Sequence, residues 1–262
     1  MRPSPQGFFP GAESTETGLE CGEVPEWLKG TVSKTVILGN RDRGFESHPL
    51  RHLPLSAPKE SDRMSQSQDK PHVFDPAHRE RLCSAERKTR LPAEEILTSI
   101  GLKAGEAFVD IGSGTGFFSL PAAAQVGPKG KVFSLDIAPD MISDLKAAAA
   151  RAGLTNIEAA VSTEAKPGLP TGAEFYFMAS VFHEIADKPA VLAAIRKAMG
   201  PRSVLVIIDY ERRPTEHGPP LEERVSPEEA RVLVERQGFS VRRVWTVNEE
   251  EYGLIAGLRP EE

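Results

Sequence analysis

The stretch Val109-Asp110-Ile111-Gly112-Ser113-Gly114-Thr115-Gly116-Phe117 constrains this chain more than any other. A short apolar run ends in a carboxylate and then meets three glycines at alternate positions. Such a run reads as a buried strand that stops where the chain bends sharply. Residues 117–126 carry a helical pattern despite Pro121. A glycine turn from strand to helix brings backbone close to a ligand and aims free amides at it.

The rest of the chain from residue 75 onward repeats that alternation. Residues 75–90 are rich in Arg, Glu and Lys and read as a polar helix or lid; 92–100 read as a helix with Ile96, Leu97 and Ile100 on its apolar side. Strands are expected at 107–111, 132–136, 156–161, 174–179 and 203–209, with helices at 140–152 (closed by Gly153) and 189–199. Ser226-Pro227-Glu228-Glu229 announces a further helix, with serine as cap, proline at the first position and Glu229 placed for a capping box. It ends at Gly238. Residues 241–247 and 252–258 are then separated by too few residues for a crossover helix, so they pair antiparallel. Strands and helices in this order make a mostly parallel sheet covered on both faces, with ligand sites beyond the strands' carboxyl ends.

Residues 1–63 differ in kind. They hold seven Gly and seven Pro, and only 31–38 suggest a strand. A segment so composed buries too little surface to offset the ordering of its backbone. The run from Val24 to Val36 and the octet Arg43-Gly44-Phe45-Glu46-Ser47-His48-Pro49-Leu50 resemble the conceptual translation of a bacterial transfer-RNA gene, whose T-arm encodes Gly-Phe-Glu-Ser in one frame. On that reading Met64 is the start of the protein. The expected organisation is a disordered leader at 1–63, a helical cap or substrate lid at 64–100, and a catalytic domain at 101–262.

Composition narrows the function. A net charge of −6 offers no basic surface for a nucleic-acid backbone. No stretch approaches the roughly 18 apolar residues of a membrane helix, and the first residues lack the apolar run of a secretory signal. Cys21 and Cys83 form neither a disulfide framework nor a C-x-x-C pair, and no metal is called for. A cytoplasmic protein is the expectation, with the oligomeric state open.

The glycine spacing decides between ligands. Gly112-x-Gly114-x-Gly116 departs from the G-x-G-x-x-G dinucleotide fingerprint, and no G-K-[ST] follows for a phosphate loop. Asp110 is costly beside a pyrophosphate and suits a ligand bearing an ammonium group. Asp136, ending the second strand, can accept both hydrogens of a ribose diol.

These residues resemble the class I S-adenosylmethionine-dependent methyltransferases, through Asp110-Ile111-Gly112-Ser113-Gly114-Thr115-Gly116 and Leu135-Asp136-Ile137. The likeness runs from about Arg79 to Leu258 and is closest to the branch holding quinone-biosynthesis and arsenite methyltransferases. It implies a Rossmann-like α/β fold: a mostly parallel seven-stranded sheet with an antiparallel C-terminal strand and helices on both faces. It implies S-adenosylmethionine as cofactor, with the methionine moiety near Gly112, Ser113, Gly114, Thr115 and Gly116, the ribose on Asp136, and the adenine between Ile137 and Met141. Ser162 and Thr163 stand where the family reads the adenine edge, with Ser162 replacing the usual acid. The arsenite branch needs converging thiols, and Cys83 alone argues against that chemistry. The implied function is methyl transfer to a small molecule. An NAD-dependent oxidoreductase and a non-catalytic binding or scaffold protein are the alternatives.

Methyl transfer asks the protein chiefly for alignment, and for a base where the acceptor must lose a proton. The candidates are His183 and Glu184 after the fourth strand, set against a packing role for His183; Asp187 reads as a helix cap. Asp209 and Tyr210 end the fifth strand, and Tyr210 is placed to line the acceptor pocket. Arg212, Arg213 and His217 in the following connection, with the segment at 79–90, are candidate substrate walls whose charge suggests an anionic acceptor or simply a solvated surface.

Overall fold

The computed structural model describes residues 84–260 apart from 164 and 166. The leader at 1–63, the strand at 31–38, Met64, Cys21, Cys83 and the first part of the 75–90 segment lie outside the described residues.

The elements follow as α1 (Ala85–Arg90), α2 (Ala93–Ser99), β1 (Ala107–Ile111), α3 (Ser119–Val126), β2 (Lys131–Asp136), α4 (Pro139–Arg151), β3 (Ile157–Val161), β4 (Phe175–Ala179), α5 (Lys188–Ala198), β5 (Val204–Tyr210), α6 (Pro227–Arg236), β6 (Phe239–Thr246) and β7 (Glu251–Leu258). One seven-stranded sheet runs in the order β3-β2-β1-β4-β5-β7-β6. Neighbours from β3 to β5 are parallel, while β7 lies antiparallel to both β5 and β6. The final hairpin was legible from its short connection, but its insertion order was not: β7 slides between β5 and β6 and leaves β6 at the edge.

Central strands of such a sheet are covered on both faces and read as continuous apolar runs. All five residues of β4, Phe-Tyr-Phe-Met-Ala, are buried. Alternate side chains go to opposite layers. Phe108, Phe175, Phe177, Val206 and Ile208 pack with α2 and α3, whereas Val109, Tyr176, Met178 and Ile207 pack with α5 and α6. The Phe108, Phe118 and Phe177 rings form the centre of the first layer, with centroids 5.2 and 4.7 Å from that of Phe177. Each such ring contributes about 1.5–3 kcal/mol by leaving water.

Two expectations are corrected. The helix after the glycine turn begins at Ser119 instead of 117, because the Gly116 amide bonds to the Ser113 carbonyl and keeps Phe117 and Phe118 in the turn. Pro121 then falls in the first helical turn, where a missing amide costs nothing. The strand–helix alternation also lapses between β3 and β4: among the described residues of 162–174 there is no helix. Pro167 and Pro170 lie there, with Gly168 and Gly172 at φ of 63° and 75°. The capping box of α6 is present as expected, with the Glu229 amide bonding Ser226 Oγ and the Ser226 amide bonding Glu229 Oε2.

Candidate functional site

The carboxyl ends of β1, β2, β4 and β5 converge on the glycine turn and on the two loops after β4 and β5. Gly112, Gly114 and Gly116 take φ of 72°, 53° and 98°, a region that side chains strain to enter. Gly112 also sits against the loop after β4: a Cβ there would lie 2.4 Å from Val181 Cγ2. The amides of this turn are not free, contrary to expectation. Those of Gly112 and Ser113 both bond the Leu135 carbonyl, at 2.7 and 3.0 Å, and that of Gly114 bonds Asp136 Oδ2 at 2.8 Å. The loop is thus left with close approach and side chains as its means of contacting a ligand. Ser113 Oγ is buried and has no hydrogen-bond partner among the described residues; the same is true of Ser180 Oγ at the end of β4. Ser180 holds φ of 57°, unusual for a residue with a side chain. Two orphaned hydroxyls beside a cradle that a Cβ would fill fit a polar ligand seated across β1 and β4.

Asp110 lies beneath this cradle, 3% exposed. Its Oδ2 accepts from Ser119 Oγ at 2.6 Å, and Ser119 Oγ accepts from Ser134 Oγ at 2.7 Å. Burial drives its carboxyl up to about 7; the Ser119 hydrogen bond and the Arg87 charge resist, while the Asp136 charge adds to the rise. A cationic ligand relieves that cost. Asp136 ends β2 with each oxygen on one amide, Oδ2 on Gly114 and Oδ1 on Ala138 at 2.9 Å, leaving further lone pairs for a ligand. Ile137 is 47% exposed and Val161, at the end of neighbouring β3, is 53% exposed. Together they offer an apolar rim that the sequence reading gave to Ile137 and Met141. Met141 is buried in α4, Ser162 is half-buried, Thr163 is exposed, and Thr115 is buried in the turn.

The candidate acceptor side is built from residues far apart in sequence. His183 Nδ1 lies 2.7 Å from Asp209 Oδ1, and the His183 amide donates to Asp209 Oδ2 at 2.9 Å. Asp209, fully buried at the end of β5, also accepts from the Tyr210 amide. Nδ1 donating to this carboxylate leaves Nε2 as the basic nitrogen, 3.7 Å from Glu184 Oε1. Burial disfavours the imidazolium, but the charge and hydrogen bond of Asp209, with Glu184 and Glu223, outweigh it and raise the His183 pKa. The Tyr210 ring stands edge-on to His183 with centroids 6.1 Å apart. Burial and the Glu251 charge raise the Tyr210 pKa against the pull of Arg90 and Arg87. His183, Glu184, Asp209 and Tyr210 thus form one cluster; Asp187 is the cap of α5, accepting from the Ala190 amide.

Two cations flank Tyr210: Arg90, within the segment read from sequence as a substrate wall, and Arg224, which sequence reasoning missed. Arg90 of α1 donates to its hydroxyl at 3.2 Å and lies over its ring, 5.5 Å from the centroid. Arg224, 6% exposed, lies 5.4 Å from the same centroid. Its guanidinium donates to the carbonyls of Glu211, Arg213, His217 and Pro219 and to Thr215 Oγ1, which pins the loop after β5. Arg212 and Arg213 face outward, to Glu229 and to the Glu249 carbonyl. No local pattern signals Arg224, since most of its hydrogen-bond partners are backbone carbonyls of the loop.

The comparisons with known proteins agree with this geometry. Residues 102–241 match the family described as "Methyltransferase domain". A nocamycin O-methyltransferase of Saccharothrix syringae is 33% identical over 110 residues, 42% of this chain and 39% of that protein. An aklanonic acid methyltransferase of Streptomyces sp. (strain C5) is 44% identical over 66 residues, 25% of this chain and 30% of its own length. The match thus spans well under half of either curated relative. A crystal structure of a SAM-dependent methyltransferase from Aquifex aeolicus superposes with a TM-score of 0.68 at 33% identity, covering 71% of this chain and all of the other. The chain belongs to the methyltransferase-domain family, on the fold shared by S-adenosylmethionine-dependent methyltransferases.

Proposed function

We propose that the protein transfers a methyl group from S-adenosylmethionine to a hydroxyl oxygen of a small molecule, with His183 as the base. The single observation that supports it most is the His183–Asp209 pair at 2.7 Å, one loop away from the glycine cradle. S-adenosylmethionine supplies a methyl already activated on a sulfonium. Gly112–Gly116 give it close approach, Ser113 and Ser180 offer it hydroxyls, Asp110 answers its positive charge, and Asp136 takes the ribose, with Ile137, Val161, Ser162 and Thr163 around the adenine and the buried Met141 behind them. His183 Nε2 accepts the acceptor's hydroxyl proton, while Asp209 keeps Nδ1 protonated and stabilises the imidazolium that forms. Glu184 lies beside Nε2 and Tyr210 lines the acceptor side. A hydroxyl acid enough for imidazole to deprotonate, a phenol or enol, matches this base better than an aliphatic alcohol does. Among the described residues no helix is long and apolar enough to cross a membrane; we place the enzyme in the cytoplasm on composition.

Incubation with methyl-labelled S-adenosylmethionine and a fractionated cell extract tests the reading. The expected result is label in a small-molecule product, with turnover lost in His183→Ala while cofactor binding persists, and binding lost in Asp136→Ala. Label confined to protein or nucleic acid sinks the acceptor class. Undiminished turnover by His183→Ala removes the base.

A further inference from the structure

Helix α1 is held over the acceptor side by polar and cation–π contacts and, at its carboxyl end, by the buried Leu91. None of its six residues is buried, and a helix so short has no stability of its own away from the body. Its attachments are specific. Arg90 Nη1 lies 2.9 Å from Glu251 Oε2 and 3.4 Å from Glu250 Oε2, and the Arg90 carbonyl accepts from Asn248 Nδ2. Arg87 covers the Phe117 ring of the glycine turn at 4.8 Å. Glu86 Oε1 meets His217 Nε2 at 2.7 Å, and the other ring nitrogen of His217 lies 3.0 Å from Glu250 Oε2. His217 therefore ties three segments together: α1, the loop after β5, and the 247–250 turn between β6 and β7. Beneath α1, Arg90 covers Tyr210, and Tyr210 covers His183, whose side chain is only 5% exposed. As it stands, the base is closed off from an incoming acceptor.

We propose that α1 is a pH-sensitive lid on the acceptor side, latched by the His217 imidazolium between Glu86 and Glu250 and released when that ring loses its proton. The idea of an acceptor side rests on the methyl-transfer reading above; the latch itself does not. An imidazole with a carboxylate on each nitrogen satisfies both only when doubly protonated, because the neutral ring turns a lone pair toward one of them. Hydrogen bonds to Glu250 and Glu86 hold the His217 pKa above its ordinary value, against slight burial and the Arg90 charge. The groups facing His217 are Glu86 and Arg90 from α1, Glu250 from the 247–250 turn, and Arg224, which donates to the His217 carbonyl, from the start of α6's approach. The arginines stay charged throughout, and His217 with its hydrogen bonds keeps the Glu250 pKa low although partial burial acts the other way. Glu251 is raised by burial, so a control must separate it from His217.

Amide hydrogen exchange on the ligand-free full-length protein makes that separation and needs no cofactor or acceptor. Exchange of residues 85–91, corrected for its intrinsic pH dependence and referred to α5, is followed from about pH 6 to about pH 8.5 in the wild type, His217→Gln and Glu86→Gln. Both substitutions are on exposed or half-exposed side chains and leave the Arg90–Glu251 pair in place. The expected result is a rise of about threefold or more in the wild type, absent in both variants, which exchange fast at every pH. A smaller rise in the wild type, or an equal rise in either variant, overturns the latch. Cofactor binding, measured separately, reports on the methyltransferase reading whatever the lid does.

Discussion

Asp110→Asn turns the buried acid of the cradle into a measurable quantity. The carboxyl is raised from 3.8 to about 7, chiefly by burial. The folded protein thus holds this proton more tightly than the unfolded chain, so stability is full below the unfolded value and falls as pH rises toward about 7. A fully ionised Asp110 costs about 4 kcal/mol, and about 2.5 kcal/mol of that is lost between pH 5 and pH 8. That is a large share of the roughly 5–15 kcal/mol that holds a domain folded. Asn keeps an oxygen for Ser119 Oγ and carries no charge, so its pH dependence should be flatter by about that 2.5 kcal/mol. Urea unfolding of both proteins at four pH values measures it. His183 and His217, whose raised pKa values also cost stability as pH rises, contribute equally to both proteins and cancel in the difference. Binding of cationic S-adenosylmethionine should ionise Asp110 and release about half a proton at pH 7, visible by calorimetry in buffers of different ionisation enthalpy. Equal pH dependence in the two proteins would refute the reasoning, whatever the variant's affinity for ligand.

Two further outcomes follow from the same geometry. In Asp209→Asn, kcat should fall by about a hundredfold or more, and the midpoint of the rising pH–rate profile should move down, because the carboxylate no longer favours the His183 imidazolium; an unmoved midpoint would detach Asp209 from the base. Ser180→Gly should stabilise the free protein by about 0.5–1 kcal/mol by relieving its positive φ, while weakening cofactor binding about fivefold through loss of the hydroxyl. Thermal melts and titration calorimetry read both, and unchanged affinity would remove Ser180 from the cofactor site.

Much of this fold is written locally. β1 at Ala107–Ile111 follows from an apolar run meeting a glycine, and α6 from the Ser226–Glu229 box, because burial on both faces and cap chemistry are properties of neighbouring residues. The glycine turn is legible for the same reason: positive φ at alternate positions asks for glycine wherever it occurs. The 162–174 connection escaped a simple alternation rule because two prolines and two left-handed glycines deny it a helix.

What the linear chain determined, then, is the order of strands and helices and the cradle at Asp110–Gly116, since both rest on backbone geometry within a few residues. Only the tertiary structure brought His183 to Asp209, 26 residues on, slid Arg224 beneath Tyr210, and set His217 between Glu86 and Glu250. Those contacts depend on β5 lying beside β4, on β7 inserting antiparallel next to β5, and on α1 meeting the carboxyl end of β5 and the amino end of β7. Such pairings are decided by which apolar faces bury each other across the whole domain, and no local run of residues carries that information.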